Sequence, residues 1–174
     1  MPKKFLQGFT LMNSTSESKT KGFTLIELLV VISIIGILTT LVSANLNAAR
    51  SRARDAERKS DMRNISTALR LYFNDYGKYP LSNNSLNIMG CGVSATELCT
   101  AGAAWIGGQS STIYMSILPK DPSSNQVYRY TSPCGGVSTD TYCLQACLEN
   151  KSDTSGIATA TNWCPSGWMF QITP

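Results

Sequence analysis

The feature that most constrains the fold of this 174-residue chain is an apolar segment, residues 23–42, in which Glu27 is the only charged residue. An α-helix rises about 1.5 Å per residue, so a segment of this length covers roughly the 30 Å hydrocarbon thickness of a bilayer. The segment therefore predicts a helix that is long enough to span a membrane. The polar residues 1–22 precede it and are predicted to be a leader peptide.

The helical pattern continues beyond the apolar segment, although the composition becomes more polar. Asp55 and Lys59 stand at the i, i+4 spacing of a helix-supporting ion pair. No proline interrupts residues 23–79, and Gly77 and Pro80 supply a stop signal. We therefore expect one helix of about 50 residues, with residues 43–79 as its amphipathic half. Its apolar side recurs every three or four positions, at Leu46, Ala49, Ala53, Ala56, Met62, Ile65, Leu69, Tyr72 and Tyr76.

Residues 80–174 have the composition of a small β-rich head. They are rich in Gly, Ser, Thr and Asn, and they contain short apolar alternations at residues 127–130, 142–148 and 168–172. Such runs predict an antiparallel sheet. The helix stripe from Met62 to Tyr76 is the expected cover for the apolar face of that sheet. The predicted fold class is α+β.

Cysteine is concentrated in this head. An even number of cysteines in an exported, loop-rich domain predicts a disulfide framework, and the sequence leaves the pairing open. A zinc site is disfavoured, because the chain has no His. We predict no metal and no cofactor, and we interpret Asp140, Glu149 and Asp153 as solvated turn residues rather than calcium ligands. The disulfide candidates are Cys91, Cys99, Cys134, Cys143, Cys147 and Cys164.

The most informative motif joins the leader to the apolar helix. It consists of Lys21, Gly22 and Phe23, with Glu27 at the fifth position counted from Phe23. This motif resembles the N-terminal motif of type IV prepilins and pseudopilins. The resemblance implies cleavage by prepilin peptidase between Gly22 and Phe23 and N-methylation of Phe23. It also implies a pilin-like fold, in which the long helix packs on the small sheet.

Glu27 is the residue of this motif that most needs an explanation. A lone carboxylate in an apolar helix costs on the order of 3 kcal/mol or more at bilayer depth, so it requires a partner. The resemblance implies that this partner is the Phe23 amine of a neighbouring subunit. Glu27 would then set the register of a helix bundle, while apolar packing would contribute roughly 25 cal/mol per Å² of buried area.

Two later segments extend the resemblance. Residues 68–80 are similar to the exit of a pilin helix into its head. Residues 118–122, followed by Tyr128 and Tyr130, are similar to a loop and strand of the major pseudopilins of type II secretion.

We therefore expect a structural subunit of a type IV pilus that serves attachment, motility or DNA uptake, with a type II secretion pseudopilin as the alternative. The implied partners are further copies of the chain, related pilins, prepilin peptidase and the inner-membrane assembly machinery. The precursor would lie in the inner membrane. The assembled product would be a surface filament or a periplasmic pseudopilus.

Other classes of protein explain fewer of these features. A secreted, disulfide-braced binding module would be cut by signal peptidase after Ala44 and would begin at Asn45. A plain membrane anchor would need no motif around Gly22. Enzymatic activity is not expected, because the chain has no His and no acidic pair stands out.

The charge pattern gives no sign of a nucleic-acid site. The basic run from Arg50 to Arg63 is diluted by Asp55, Glu57 and Asp61, and it lacks aromatic stacking residues. We interpret this run as a solvated or inter-subunit face of the helix.

Overall fold

The computed structural model describes residues 22–136, 138, 140–160 and 162–174. The predicted leader, apart from Gly22, lies outside the described residues. The chain divides into two compact units, Met1–Val42 and Ser43–Pro174. Helix α1, Leu25–Tyr76, is 52 residues long, close to the length that the uninterrupted pattern predicts.

Helix α1 ends at the predicted stop signal. Gly77 has φ of +64°, in the left-handed region that favours glycine, and its N–H donates to the carbonyl oxygen of Phe73 at 2.7 Å. A glycine in this conformation directly after the last helical residue is a common helix C-cap. Pro80 follows three residues later, so the chain leaves the helix axis and enters the head.

In the first unit, the described apolar side chains of helix α1 are exposed. The most apolar 18-residue window of the helix has a mean hydropathy of 2.7, which makes the helix apolar and long enough to cross a membrane. Hydroxyl groups in this segment are satisfied within the helix, because each donates to a carbonyl oxygen three or four residues earlier. These bonds are Ser33 to Leu29 (2.8 Å), Thr39 to Gly36 (2.9 Å) and Thr40 to Ile37 (2.8 Å).

The second unit contains nine short strands among its described residues. They are β1 Leu81–Ser82, β2 Ile88–Cys91, β3 Glu97–Leu98, β4 Trp105–Gly107, β5 Thr112–Met115, β6 Arg129–Thr131, β7 Cys143–Cys147, β8 Ile157–Ala158 and β9 Trp168–Ile172. All ladders between them are antiparallel. They form a three-stranded sheet in the order β1-β2-β3, the pair β4-β5, and a four-stranded sheet in the order β6-β7-β9-β8.

The core of the second unit forms around one stripe of helix α1. Buried residues of this stripe and of the third sheet belong to one cluster, which confirms the predicted α+β class. The buried members from the helix are Met62, Ile65, Ala68, Leu69 and Tyr72, and those from the region of the third sheet are Tyr130, Tyr142, Leu144 and Ala146. The stripe is covered only from Met62 onward. The predicted stripe residues before Met62 are exposed instead, namely Leu46, Ala49, Ala53 and Ala56.

The three predicted strands are present as β6, β7 and β9. Leu144 lies opposite both Tyr130 and Ile172, which places β7 between the other two. The remaining strands were not predicted. Each is only two to four residues long. Such a strand is too short to show a recognisable alternation of apolar and polar residues among the surrounding Gly, Ser and Thr.

The six cysteines form three disulfides between neighbours in the chain order: Cys91–Cys99, Cys134–Cys143 and Cys147–Cys164. Because side chains alternate along a strand, Cys143 and Cys147 lie on the face of β7 opposite to Leu144 and Ala146. Two of the disulfides therefore attach flanking segments to β7, an interior strand of the third sheet.

Candidate functional site

The N-terminal motif begins helix α1 with a reciprocal cap. Thr24 precedes the first helical residue, and both its backbone N–H and its hydroxyl donate to Glu27 Oε2, at 2.8 and 2.7 Å. In return, the Glu27 N–H donates to the Thr24 hydroxyl oxygen at 3.3 Å. This arrangement is a capping box, in which a Thr and a Glu three residues later satisfy each other's backbone groups.

The capping box determines where the Glu27 carboxylate lies. It is held at the N-terminal end of the helix, where the helix dipole favours a negative charge. It also lies within one turn of Phe23, whose backbone nitrogen would become a free amine after cleavage. The Thr-x-x-Glu spacing in the sequence is the signal for this cap, and it gives Glu27 a partner within its own chain as well as the predicted partner on another subunit.

Gly22 and Phe23 lie outside the helix, directly before Thr24, and both are exposed. Phe23 exposes 86% of its surface, and no described atom outside its immediate neighbours lies within 4 Å of the position where Gly22 would carry a Cβ. Both residues are therefore open on the side of the part of the chain that the structure describes.

A second group of charged residues lies within the head unit, and we call Arg54, Asp55, Arg58, Asp121 and Glu149 the ion cluster. Arg58 is completely buried, and it donates two hydrogen bonds to Asp121, from Nε at 2.9 Å and from Nη2 at 2.8 Å. Its Nη1 donates to Asp55 Oδ1 at 2.7 Å and lies 2.9 Å from Glu149 Oε1. Arg54 binds the same Glu149 carboxylate with Nε and Nη2.

Backbone groups complete the ion cluster. Asp55 is 1% exposed, and it accepts hydrogen bonds from the N–H groups of Glu149 (2.9 Å) and Asn150 (2.8 Å). One turn further along the helix, the Lys59 ammonium donates to Asp153. The loop after β7 is thus bound to helix α1 through both its backbone and its carboxylates. Buried charges are stable only when they are paired and hydrogen-bonded in this way.

The surrounding cations change the acidity of the loop carboxylates. Hydrogen bonds from Arg54, assisted by Arg58, lower the pKa of Glu149 to about 2. The hydrogen bond from Lys59 lowers the pKa of Asp153 to about 2. Both side chains therefore stay ionised, and paired with the cations of the helix, at acidic pH values at which an ordinary carboxylate takes up a proton.

These contacts correct three expectations from the sequence. Arg54, Arg58 and Lys59 do not form a solvated or inter-subunit face, because they bind the head of their own chain. Glu149 and Asp153 are ion-paired rather than solvated. Asp55 pairs with Arg58 instead of Lys59.

Within the described residues, no three Asp, Glu, Cys or His side chains are grouped so that they could hold a metal ion. The acidic side chains of the ion cluster face guanidinium groups instead. Asp140, the third acidic residue for which the sequence predicts a solvated turn, is exposed.

Comparison with known proteins gives two family matches that together cover most of the chain. Residues 18–43 match the prokaryotic N-terminal methylation motif, and residues 45–162 match type II secretion system protein G. No solved structure matches the fold significantly.

Similar proteins of known family include both type II secretion proteins and a type IV pilin. The chain is 36% identical to the type II secretion system core protein G of Escherichia coli K12 over 107 residues, which are 62% of this chain and 69% of that one. It is 31% identical to the core protein G of Vibrio cholerae O1 over 145 residues, 83% of this chain and 92% of that one. It is also 34% identical to the type IV major pilin protein PilA of Myxococcus xanthus, over 61 residues, 35% of this chain and 28% of that one.

One long N-terminal helix, a small β-rich head and a methylation motif together define a pilin-like subunit, which is a structural protein and not an enzyme. Within that class, the chain belongs to the type II secretion system protein G family, because the family match covers more than half of its length.

Proposed function

We propose that this protein is a pseudopilin of a type II secretion-type system, a filament subunit that acts in the export of other proteins. The observation that carries the proposal is the protein G match over residues 45–162, which includes most of the head. The PilA similarity covers only 35% of this chain. The comparisons therefore favour the alternative from the sequence analysis over a type IV pilus subunit.

The proposed processing uses the motif at the start of helix α1. Prepilin peptidase would cut between Gly22 and Phe23, which are both exposed, and would leave Phe23 as the methylated N-terminus. The precursor would be anchored in the inner membrane by residues 23–42. Residues 43–79 would continue the helix into the head, residues 80–174.

In the proposed assembly, the exposed apolar side chains of residues 23–42 leave lipid and pack against the same segments of other copies. Each subunit brings one negative charge, Glu27, and one new positive charge, the Phe23 amine. Pairing of these charges between copies removes the cost of an isolated carboxylate in an apolar environment. The pairing distance then fixes how far one helix is displaced along its neighbour.

Two measurements test the proposal. Mass spectrometry of the mature protein should find a methylated Phe23 at its N-terminus and three disulfides. Deletion of the gene in its native host should leave normally exported enzymes inside the periplasm, while surface fibres and twitching motility persist. Loss of the fibres with normal export would instead identify a pilus subunit, and an N-terminus at Asn45 would contradict processing by prepilin peptidase.

A further inference from the structure

Two arginines of helix α1, Arg50 and Arg52, take no part in the ion cluster, and both are exposed. No acidic residue lies between Glu27 and Asp55, so the sequence places no carboxylate beside them on this stretch of the helix. In the part of the chain that the structure describes, neither guanidinium group has a carboxylate partner. The helix cations that do form ion pairs there are Arg54, Arg58 and Lys59.

Both arginines lie shortly after the apolar segment. The second unit begins at Ser43, directly after that segment, and helix α1 continues through it. At about 1.5 Å per residue, Arg50 and Arg52 lie roughly 10–14 Å further along the helix than Ser43. The headgroup layer on one side of a bilayer is roughly 5–8 Å thick. Arginine side chains are long and lean toward the N-terminus of their helix, so they can reach this layer from the side of the head.

The two side chains also leave the helix in different directions. Two positions correspond to about 200° around the axis of an α-helix. A protein neighbour that packs on one side of the helix can therefore contact one of the two arginines, but not both. A bilayer surrounds the helix, so its surface can contact both side chains at nearly the same level.

Other copies of the chain offer few free carboxylates to these arginines, because most acidic side chains of the described head are bound within their own chain. Those that bind cations are Asp55, Asp121, Glu149 and Asp153, and those that accept from tyrosine hydroxyls are Asp61 and Asp75. This favours an anion that the membrane supplies over a carboxylate of a second copy.

We propose that Arg50 and Arg52 bind the phosphate groups of anionic phospholipids at the outer surface of the inner membrane, before the subunit is assembled. This inference rests on the proposed function, which places the head on that side. Basic residues near a membrane-spanning helix are normally concentrated on the opposite, cytoplasmic side. An anionic phosphodiester offers both a negative charge and oxygen acceptors for the guanidinium N–H groups. The contact fixes the depth of the helix in the bilayer.

Photo-crosslinking to lipid tests the contact at this end of the helix. The full-length chain carries a benzophenone amino acid at Leu46, which is 45% exposed, and is reconstituted in vesicles with equal amounts of phosphatidylglycerol and phosphatidylcholine. Mass spectrometry of the adducts gives the ratio of the anionic to the zwitterionic lipid. We expect this ratio to exceed one in the parent and to fall about fivefold for each arginine that is changed to glutamine.

Three controls identify the cause of such a fall. Arg63→Gln removes an exposed arginine of the same helix that lies further from the apolar segment, and it should keep the parental ratio. Arg50→Lys with Arg52→Lys keeps both charges and should retain most of the preference. High salt should lower the parental ratio, because mobile ions screen exposed charges. A parental ratio of one, or an unchanged ratio in Arg50→Gln with Arg52→Gln, would contradict the lipid contact.

The same probe in cells separates this inference from the proposed function. Adducts of Leu46 with an exported protein or with a second copy, in place of lipid, would assign the arginines to a protein contact and overturn the proposal. If the chain is cleaved between Gly22 and Phe23 and supports export, that result leaves the proposed function intact. Failure of cleavage and of export would overturn the proposed function, whatever lipid ratio the vesicles give.

Discussion

Helix α1 carries two carboxylates in unusual surroundings, Glu27 in the first unit and Asp55 in the second. Asp55 is buried, and its partners come from Arg58 and from backbone groups more than 90 residues further along the chain. Glu27 is exposed in an apolar segment, and the hydrogen bonds found for it in the described residues come from Thr24, within the same turn.

The two carboxylates therefore have different roles on the same helix. Asp55 is paired and hydrogen-bonded by groups of its own chain, so it stabilises the fold of the head. Within the part of the chain that the structure describes, the Glu27 carboxylate is bound only by the helix cap at Thr24. This is why we propose Glu27, and not Asp55, as the acidic residue that pairs with another copy during assembly.

The largest effect is expected from breaking the ion cluster. Arg58→Ala leaves the carboxylates of Asp55 and Asp121 buried without their cation, and loss of one partner of a buried pair typically costs about 3–5 kcal/mol. Urea unfolding of the detergent-solubilised full-length chain measures this loss. Arg63→Ala removes an exposed arginine of the same helix, and we expect it to change the free energy of unfolding by less than about 0.5 kcal/mol. Similar values for the two variants would contradict the structural role of Arg58.

The next effect concerns the loop that supplies Glu149 and Asp153. The Cys147–Cys164 disulfide joins residues 17 positions apart and closes this loop. In the chain-entropy description, its removal by Cys147→Ser with Cys164→Ser destabilises the head by about 3 kcal/mol. The loop should also become more accessible, so cleavage by endoproteinase Lys-C after Lys151 should accelerate.

The matched control for this loop removes the Cys91–Cys99 disulfide, which joins residues only 8 positions apart in another part of the head. That variant should lose a little less stability, about 2.5 kcal/mol, and should retain the parent's protection at Lys151. Equal acceleration of cleavage in both variants would mean that the 147–164 bridge has no specific effect on the loop.

The contrast between contacts within helix α1 and contacts from the helix to distant parts of the chain explains what could be predicted from the sequence. The helix, its stop at Gly77 and the core stripe from Met62 depend on local periodicity and local conformational preference, so a pattern search finds them. The Thr24-x-x-Glu27 cap is local too and was readable. The ion cluster is different, because Arg58 meets Asp121 across 63 positions and Arg54 meets Glu149 across 95. No spacing rule links these residues, and a run of basic side chains on a helix usually indicates a solvated face.

A third prediction separates the two roles of Glu27. Glu27→Gln keeps an oxygen acceptor for the capping box but removes the charge, whereas Glu27→Ala removes both. If the charge sets the register between copies, both variants should be inserted into the membrane and cleaved normally, yet the sheared filament fraction should fall about tenfold in each, equivalent to about 1.4 kcal/mol. Filaments at parental levels from Glu27→Gln alone would assign the role to the helix cap.

The smallest effect is a dependence of head stability on pH. The folded-state pKa of Glu149, about 2, lies below its ordinary value of 4.5, and Asp153 is shifted in the same direction from 3.8. The unfolded chain therefore binds more protons between these values. The stabilisation is complete above about pH 5 and is lost as the pH falls toward 2. Burial raises the pKa of Asp61, so this residue acts with the opposite sign.

Glu149→Gln isolates the contribution of Glu149, because Asp61 and Asp153 titrate in both proteins. Between pH 6 and pH 3, we expect the parent to lose about 1 kcal/mol more than this variant in urea unfolding, an amount reduced by partial solvent exposure of the pair. If Glu149→Gln followed the parent curve, the pairing of Glu149 with Arg54 would contribute nothing to the attachment of the loop.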